Sequence, residues 1–117
     1  MDEYEPKEQN LKSAPPQQNT GITLHQAIDF GEYNPEFLAN FVEWHTLSPH
    51  IQWQLIRKAL DIRYKQLITQ YAELNNVLDL RNKPNVKGAM KKVEKQIDEL
   101  AKDRERLYVE YSNKMAG

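Results

Sequence analysis

Apolar residues in the second half of the chain recur at alternating steps of three and four. Trp53, Leu60, Leu67 and Leu74 repeat every seven residues, with Arg57, Tyr64, Tyr71 and Leu78 in the alternate position. Val86, Val93, Leu100 and Leu107 repeat likewise, with Met90, Ile97, Arg104 and Tyr111 between them. This is the spacing of coiled-coil seams. It predicts one long helix over about 49–81 and another over about 86–114, parted by the breaker cluster Asn82-Lys83-Pro84-Asn85. Ser48-Pro49 is the start signal of the first, and Gly88 weakens the first turn of the second.

Folding the chain at Lys83-Pro84 brings the seams together in layers: Leu78 with Met90, Leu74 with Val93, Tyr71 with Ile97, Leu67 with Leu100 and Leu60 with Leu107. The residue numbers in every layer add to 167 or 168, so one register satisfies all of them. The same register sets Arg104 against Tyr64 and Arg57 against Tyr111. A guanidinium can stack on a phenol ring, and polar seam residues of this kind fix register.

Before the seams the pattern is shorter. Thr23 reads as the N-cap of a helix over 24–30 stopped by Gly31, and Asn34-Pro35 opens another running to about His45. These two helices carry Leu24, Ile28, Phe37, Leu38, Phe41, Val42 and Trp44. The back of the first long helix is apolar at Ile51, Leu55, Ala59 and Ile62 and polar further on, at Thr69 and Asn76. Something must cover that apolar base: the short helices or a partner subunit. The partner-binding candidates are Phe37, Phe41, Trp44, Leu55 and Ile62.

Residues 1–20 hold Pro6, Pro15 and Pro16 and one large aliphatic side chain, Leu11, too little apolar surface to offset ordering. They read as a disordered or extended arm that docks on a neighbour. The organisation expected is therefore all-α: an arm over 1–20, two short helices over 21–47, and a long antiparallel helical hairpin of coiled-coil type over 48–117, with the short helices packed at its base.

Composition narrows the function classes. The chain has 117 residues, one small domain's worth, and four glycines. Without cysteine there is no disulfide, zinc-thiolate site or thiol nucleophile, and a reducing, cytoplasmic setting (or a virion) is expected. The start, Met1 to Glu5, is acidic and unlike a signal peptide, and no apolar run reaches the ~20 residues needed to cross a bilayer. No membrane association is expected.

The net charge of −1 conceals an asymmetry: residues 1–47 carry eight acids and two lysines, residues 48–117 nine acids and fourteen basic residues. The excess gathers at the hairpin tip in Arg81, Lys83, Lys87, Lys91, Lys92 and Lys95, a candidate phosphate-contact set. Aromatic residues for base stacking are missing there, and the acidic short helices (Asp29, Glu32, Glu36, Glu43) would repel DNA. His25, His45 and His50 form no metal-ligand motif, and no phosphate loop, nucleophile elbow or paired catalytic acids are present. No cofactor, metal, small-molecule substrate or enzymatic activity is expected.

The function expected is a structural or adaptor protein that binds other protein subunits, or itself, in a larger assembly; a virion or phage component is one form of it. The competing expectation is nucleic-acid binding through the basic tip. A third, a small inhibitor docking a helix in a groove, has no sequence feature of its own.

Overall fold

The computed structural model describes residues 21–76 and 84–117. The expected arm over 1–20, Asn82 and Lys83 of the expected breaker, and Leu78 and Arg81 lie outside the described residues; Pro84 and Asn85, expected in the breaker, are helical, and the first long helix ends at Asn75. All secondary structure among the described residues is helical. The elements are α1 (Leu24–Asp29), α2 (Pro35–Leu38), a 3₁₀ helix (Val42–Thr46), α3 (Pro49–Asn75) and α4 (Pro84–Ala116). The chain divides into two compact units, Met1–Ala59 and Leu60–Gly117.

The first unit is built from short elements with strong local punctuation. The Thr23 hydroxyl accepts a hydrogen bond from the Gln26 amide at 3.0 Å, and the Gln26 side-chain oxygen accepts from the Thr23 amide at 2.9 Å. This reciprocal capping box satisfies donors the helix start leaves open. α1 ends in a Schellman motif. Gly31 sits at φ 89°, its amide bonds to the Ile28 carbonyl, and the Glu32 amide reaches the Ala27 carbonyl. Only a residue without Cβ takes that φ freely. Asn34 caps α2 by accepting from the Glu36 amide at 2.9 Å, with Pro35 at the first helical position.

The helix expected to run from Pro35 to His45 is broken. α2 stops at Leu38, Phe41 is extended, and the backbone resumes as a 3₁₀ helix with bonds from Trp44 to Phe41 and from Leu47 to Trp44. Asn40, Val42, His45 and Thr46 are all weak helix formers. Two of them supply what a continuous helix would have supplied: His45 Nε2 lies 2.7 Å from the Ala39 carbonyl, and the Thr46 hydroxyl donates to the Glu43 carbonyl at 2.7 Å.

Ser48 caps α3, its hydroxyl accepting from the Ile51 amide at 3.2 Å, and Pro49 opens the helix. Within the first unit the core comprises Leu24, Ala27, Ile28, Leu38, Phe41, Trp44, Ile56 and Ala59, all buried. The buried row of α3 here thus includes Ile56, which belongs to neither expected face, while Ile51 is exposed and Leu55 half-buried. Two bonds tie the elements together: Gln52 Nε2 donates to the Trp44 carbonyl at 2.9 Å, and Lys58 pairs with Asp29 at 3.4 Å.

In the second unit the later part of α3 and α4 pack against each other. Tyr71 bonds Glu94 and Asp61 bonds Arg104; the number falls by ten on one helix as it rises by ten on the other, so the segments run antiparallel. Leu60, Leu67, Val86, Val93, Leu100, Leu107 and Tyr111 are buried. The alternate seam row is wetter. Tyr71, Met90, Ile97 and Arg104 are half-buried and Tyr64 is exposed. Where two helices pack as a pair, one row of each faces the other helix while the second row lines an edge; Tyr111, in that second row, is nonetheless buried.

Candidate interaction surfaces

The residues expected to receive a partner at the base separate by burial. Phe41 and Trp44 are inside the first unit's own core, Phe41 meeting Phe37 edge-on at a ring separation of 5.9 Å. Phe37, Leu55 and Ile62 are half-buried. Large apolar residues outside the core are Phe30, Val42 and Ile51 in the first unit, and Tyr64, Ile68, Tyr108, Val109 and Met115 in the second.

At the basic end, Lys87, Lys91, Lys92 and Lys95 are all exposed. Lys87, Lys91 and Lys95 follow at steps of four, one stripe of α4, with Lys92 beside it. Among the described residues no carboxylate pairs with any of the four. The nearby acid Glu94 is engaged elsewhere, its Oε2 accepting from the Tyr71 hydroxyl at 3.0 Å. That bond, the carboxylate's negative charge and slight desolvation push the Tyr71 phenol above its ordinary pKa.

The polar seam residues lie as follows. Arg57 is exposed and Tyr111 fully buried, with Lys114 Nζ 4.6 Å from the Tyr111 ring centroid. Burial first, then the Glu110 charge, raises the Tyr111 pKa. Tyr64 and Arg104 line one cleft of about 220 Å³ with Ile97, Leu100 and Ala101. The Arg104 guanidinium there bonds Asp61 at 3.3 Å. Asp61 stands outside the seam pattern; the signal that could have found it is its place three residues before Tyr64, which puts an acid on the same helix edge.

Two larger depressions follow α3. One, of about 580 Å³, runs from Ile62 to Glu73 over Arg63, Lys65 and Gln70. The other, of about 560 Å³, lies between Arg63, Gln70 and Glu73 of α3 and Ala89, Lys92 and Gln96 of α4. Both are broad and open to solvent. Among the described residues no three acids or histidines converge as a metal site would need, and no helix is long and apolar enough to cross a membrane. Comparison with protein-family models, with curated proteins and with solved structures gives no match.

Proposed function

We propose that this chain is a non-enzymatic structural or adaptor protein that binds protein subunits in a larger assembly, with its second unit a coiled-coil-type helical hairpin presenting its edges to them. The observation that carries the reading is the apolar surface left on a unit whose described residues form two helices: Tyr64, Ile68, Tyr108, Val109 and Met115 are between 37% and 55% exposed. Two-helix pairs have thin cores, and large apolar groups on their edges are stabilised when another surface covers them. Proteins that connect subunits need such surfaces and need no pocket of convergent reactive groups. In solution the test is light scattering after size exclusion, combined with cross-linked capture from the native source. A stable monomer with no stoichiometric partner would overturn the reading.

A second reading has its own observation, the lysine stripe Lys87, Lys91 and Lys95 with Lys92 beside it, none of them in an ion pair among the described residues. It supports contact with a phosphate backbone at that end. Its test is the salt dependence of nucleic-acid binding before and after the four lysines are changed to glutamate.

A further inference from the structure

We infer that the edge of the second unit bounded by the Tyr71–Glu94 and Asp61–Arg104 bonds binds a second copy of this chain in an antiparallel two-fold dimer; the inference names one partner for the assembly role and rests on that reading. Between the two bonds α3 carries Tyr64 and Ile68, 45% and 40% exposed, and α4 carries half-buried Ile97 and exposed Ala101. Tyr64, Ile97, Ala101 and Arg104 line a single cleft, which puts them on a common side of the helix pair. Ile68, one turn beyond Tyr64, extends the same stripe.

The arrangement of charge selects a second copy as the occupant. On α4 the apolar stretch is centred on residue 99, with Glu94 five residues before it and Arg104 five residues after. On α3 the centre is residue 66, with Asp61 and Tyr71 equally far to either side. A two-fold axis through this centre, perpendicular to the helices, exchanges the ends of the edge. It lays Ile97 against Ala101 of the second copy and Tyr64 against Ile68 of the second copy. It also brings Glu94 to Arg104 of the second copy, and every contact occurs twice, as an isologous interface requires. Each charged residue stands ~7.5 Å along α4 from the axis, so one placement serves both pairs. A guanidinium has five donors, enough to keep Asp61 while reaching the second carboxylate, and Glu94 keeps acceptor sites beyond the one given to Tyr71. A two-fold axis parallel to the helices would instead lay α4 on α3 of the second copy, with Glu94 facing Tyr71 rather than Arg104. Four helices then close into a bundle, and each pair gains the wall it lacks alone.

Sedimentation equilibrium of the full chain over a concentration series reads this directly. The expected result is a mass rising with concentration from 13.8 kDa towards twice that value. Ile68→Lys, at an exposed position, weakens the dimer by about tenfold or more, as does Ala101→Glu. Glu94→Arg and Arg104→Glu each weaken it, and the two together restore association; circular dichroism confirms that every variant remains helical. A chain monomeric throughout the series, or a dimer indifferent to all these changes, overturns the inference. A monomer that binds a different subunit through this edge overturns the second-copy assignment and leaves the assembly reading standing; a monomer with no partner of either kind removes both.

Discussion

The same substitution, glycine to alanine, is expected to act in opposite directions at positions 31 and 88. Gly31 holds φ at 89°, where its amide and that of Glu32 close the end of α1. An alanine there must occupy a left-handed conformation that Cβ disfavours by ~1–2 kcal/mol. Gly88 lies inside α4, is exposed, and a Cβ built on it meets nothing within 4 Å. Alanine at that position removes unfolded-state freedom and gains ~0.5–1 kcal/mol of helix propensity. With an unfolding entropy of ~2.1 cal/mol/K per residue, a chain of 117 residues shifts its Tm by about 4 °C per kcal/mol. Gly31→Ala therefore lowers Tm by roughly 4–8 °C and Gly88→Ala raises it by roughly 2–4 °C. Thermal melts followed by circular dichroism measure both, and Gly31→Asn, which tolerates the left-handed region, recovers part of the loss. Two changes of the same sign would refute the reasoning, because they would mean that backbone conformation does not distinguish the positions.

Leu100→Ala removes a buried side chain from the second unit, 3% exposed, and is expected to destabilise by ~2–4 kcal/mol in a urea melt. Tyr71 and Tyr111 both ionise above the ordinary tyrosine pKa, so spectrophotometric titration of the wild type against Tyr71→Phe and Tyr111→Phe should show that each change removes a phenol deprotonating above that value. Their folded pKa values lie above the unfolded ones. The stability they contribute is thus complete below pH ~10 and is lost as the pH rises through the folded values. Under the second functional reading, binding of a single-stranded oligonucleotide followed by fluorescence anisotropy should weaken with salt at a log–log slope of about −3 for four phosphate contacts. Exchange of Lys87, Lys91, Lys92 and Lys95 for glutamate should then abolish binding, and an unchanged affinity would remove that reading.

Three helix starts and one stop were legible because their causes are local. Thr23, Gly31, Asn34-Pro35 and Ser48-Pro49 act on amides and carbonyls within a few residues, and the structure places each where the chain indicated. The buried row Leu60, Leu67, Val93, Leu100 and Leu107 followed equally from periodicity. What escaped depended on choices among near-equal alternatives. The stretch from Ala39 to Thr46 can continue a helix or fold back on its own side chains, and His45 and Thr46 tip it to the second by capturing carbonyls. Periodicity placed Arg104 on the seam, but a long guanidinium selects among all neighbours within reach, and the carboxylate of Asp61 lay close by. Ile56 was missed because it falls between the two faces read from the repeat, yet it is fully buried in the first unit. For the interaction surfaces, the lysines and edge aromatics were visible as residues; their exposure became visible only with the backbone in place.

The boundary between the two compact units falls at Ala59 and Leu60, inside the unbroken helix Pro49–Asn75. A protease or a cloning boundary placed there would sever an uninterrupted run of backbone hydrogen bonds. It would orphan four carbonyls on one side and four amides on the other. Proteases cut such a site only after local unfolding, so nicking is expected to spare it in favour of less protected chain. A cut at the capped start, Ser48, leaves α3 whole but breaks the Gln52–Trp44 and Lys58–Asp29 bonds and strips Ile56 and Ala59 from the first unit's core. A fragment that keeps the first unit intact therefore has to carry α3 beyond Ala59, and one beginning at Leu60 starts on a frayed end.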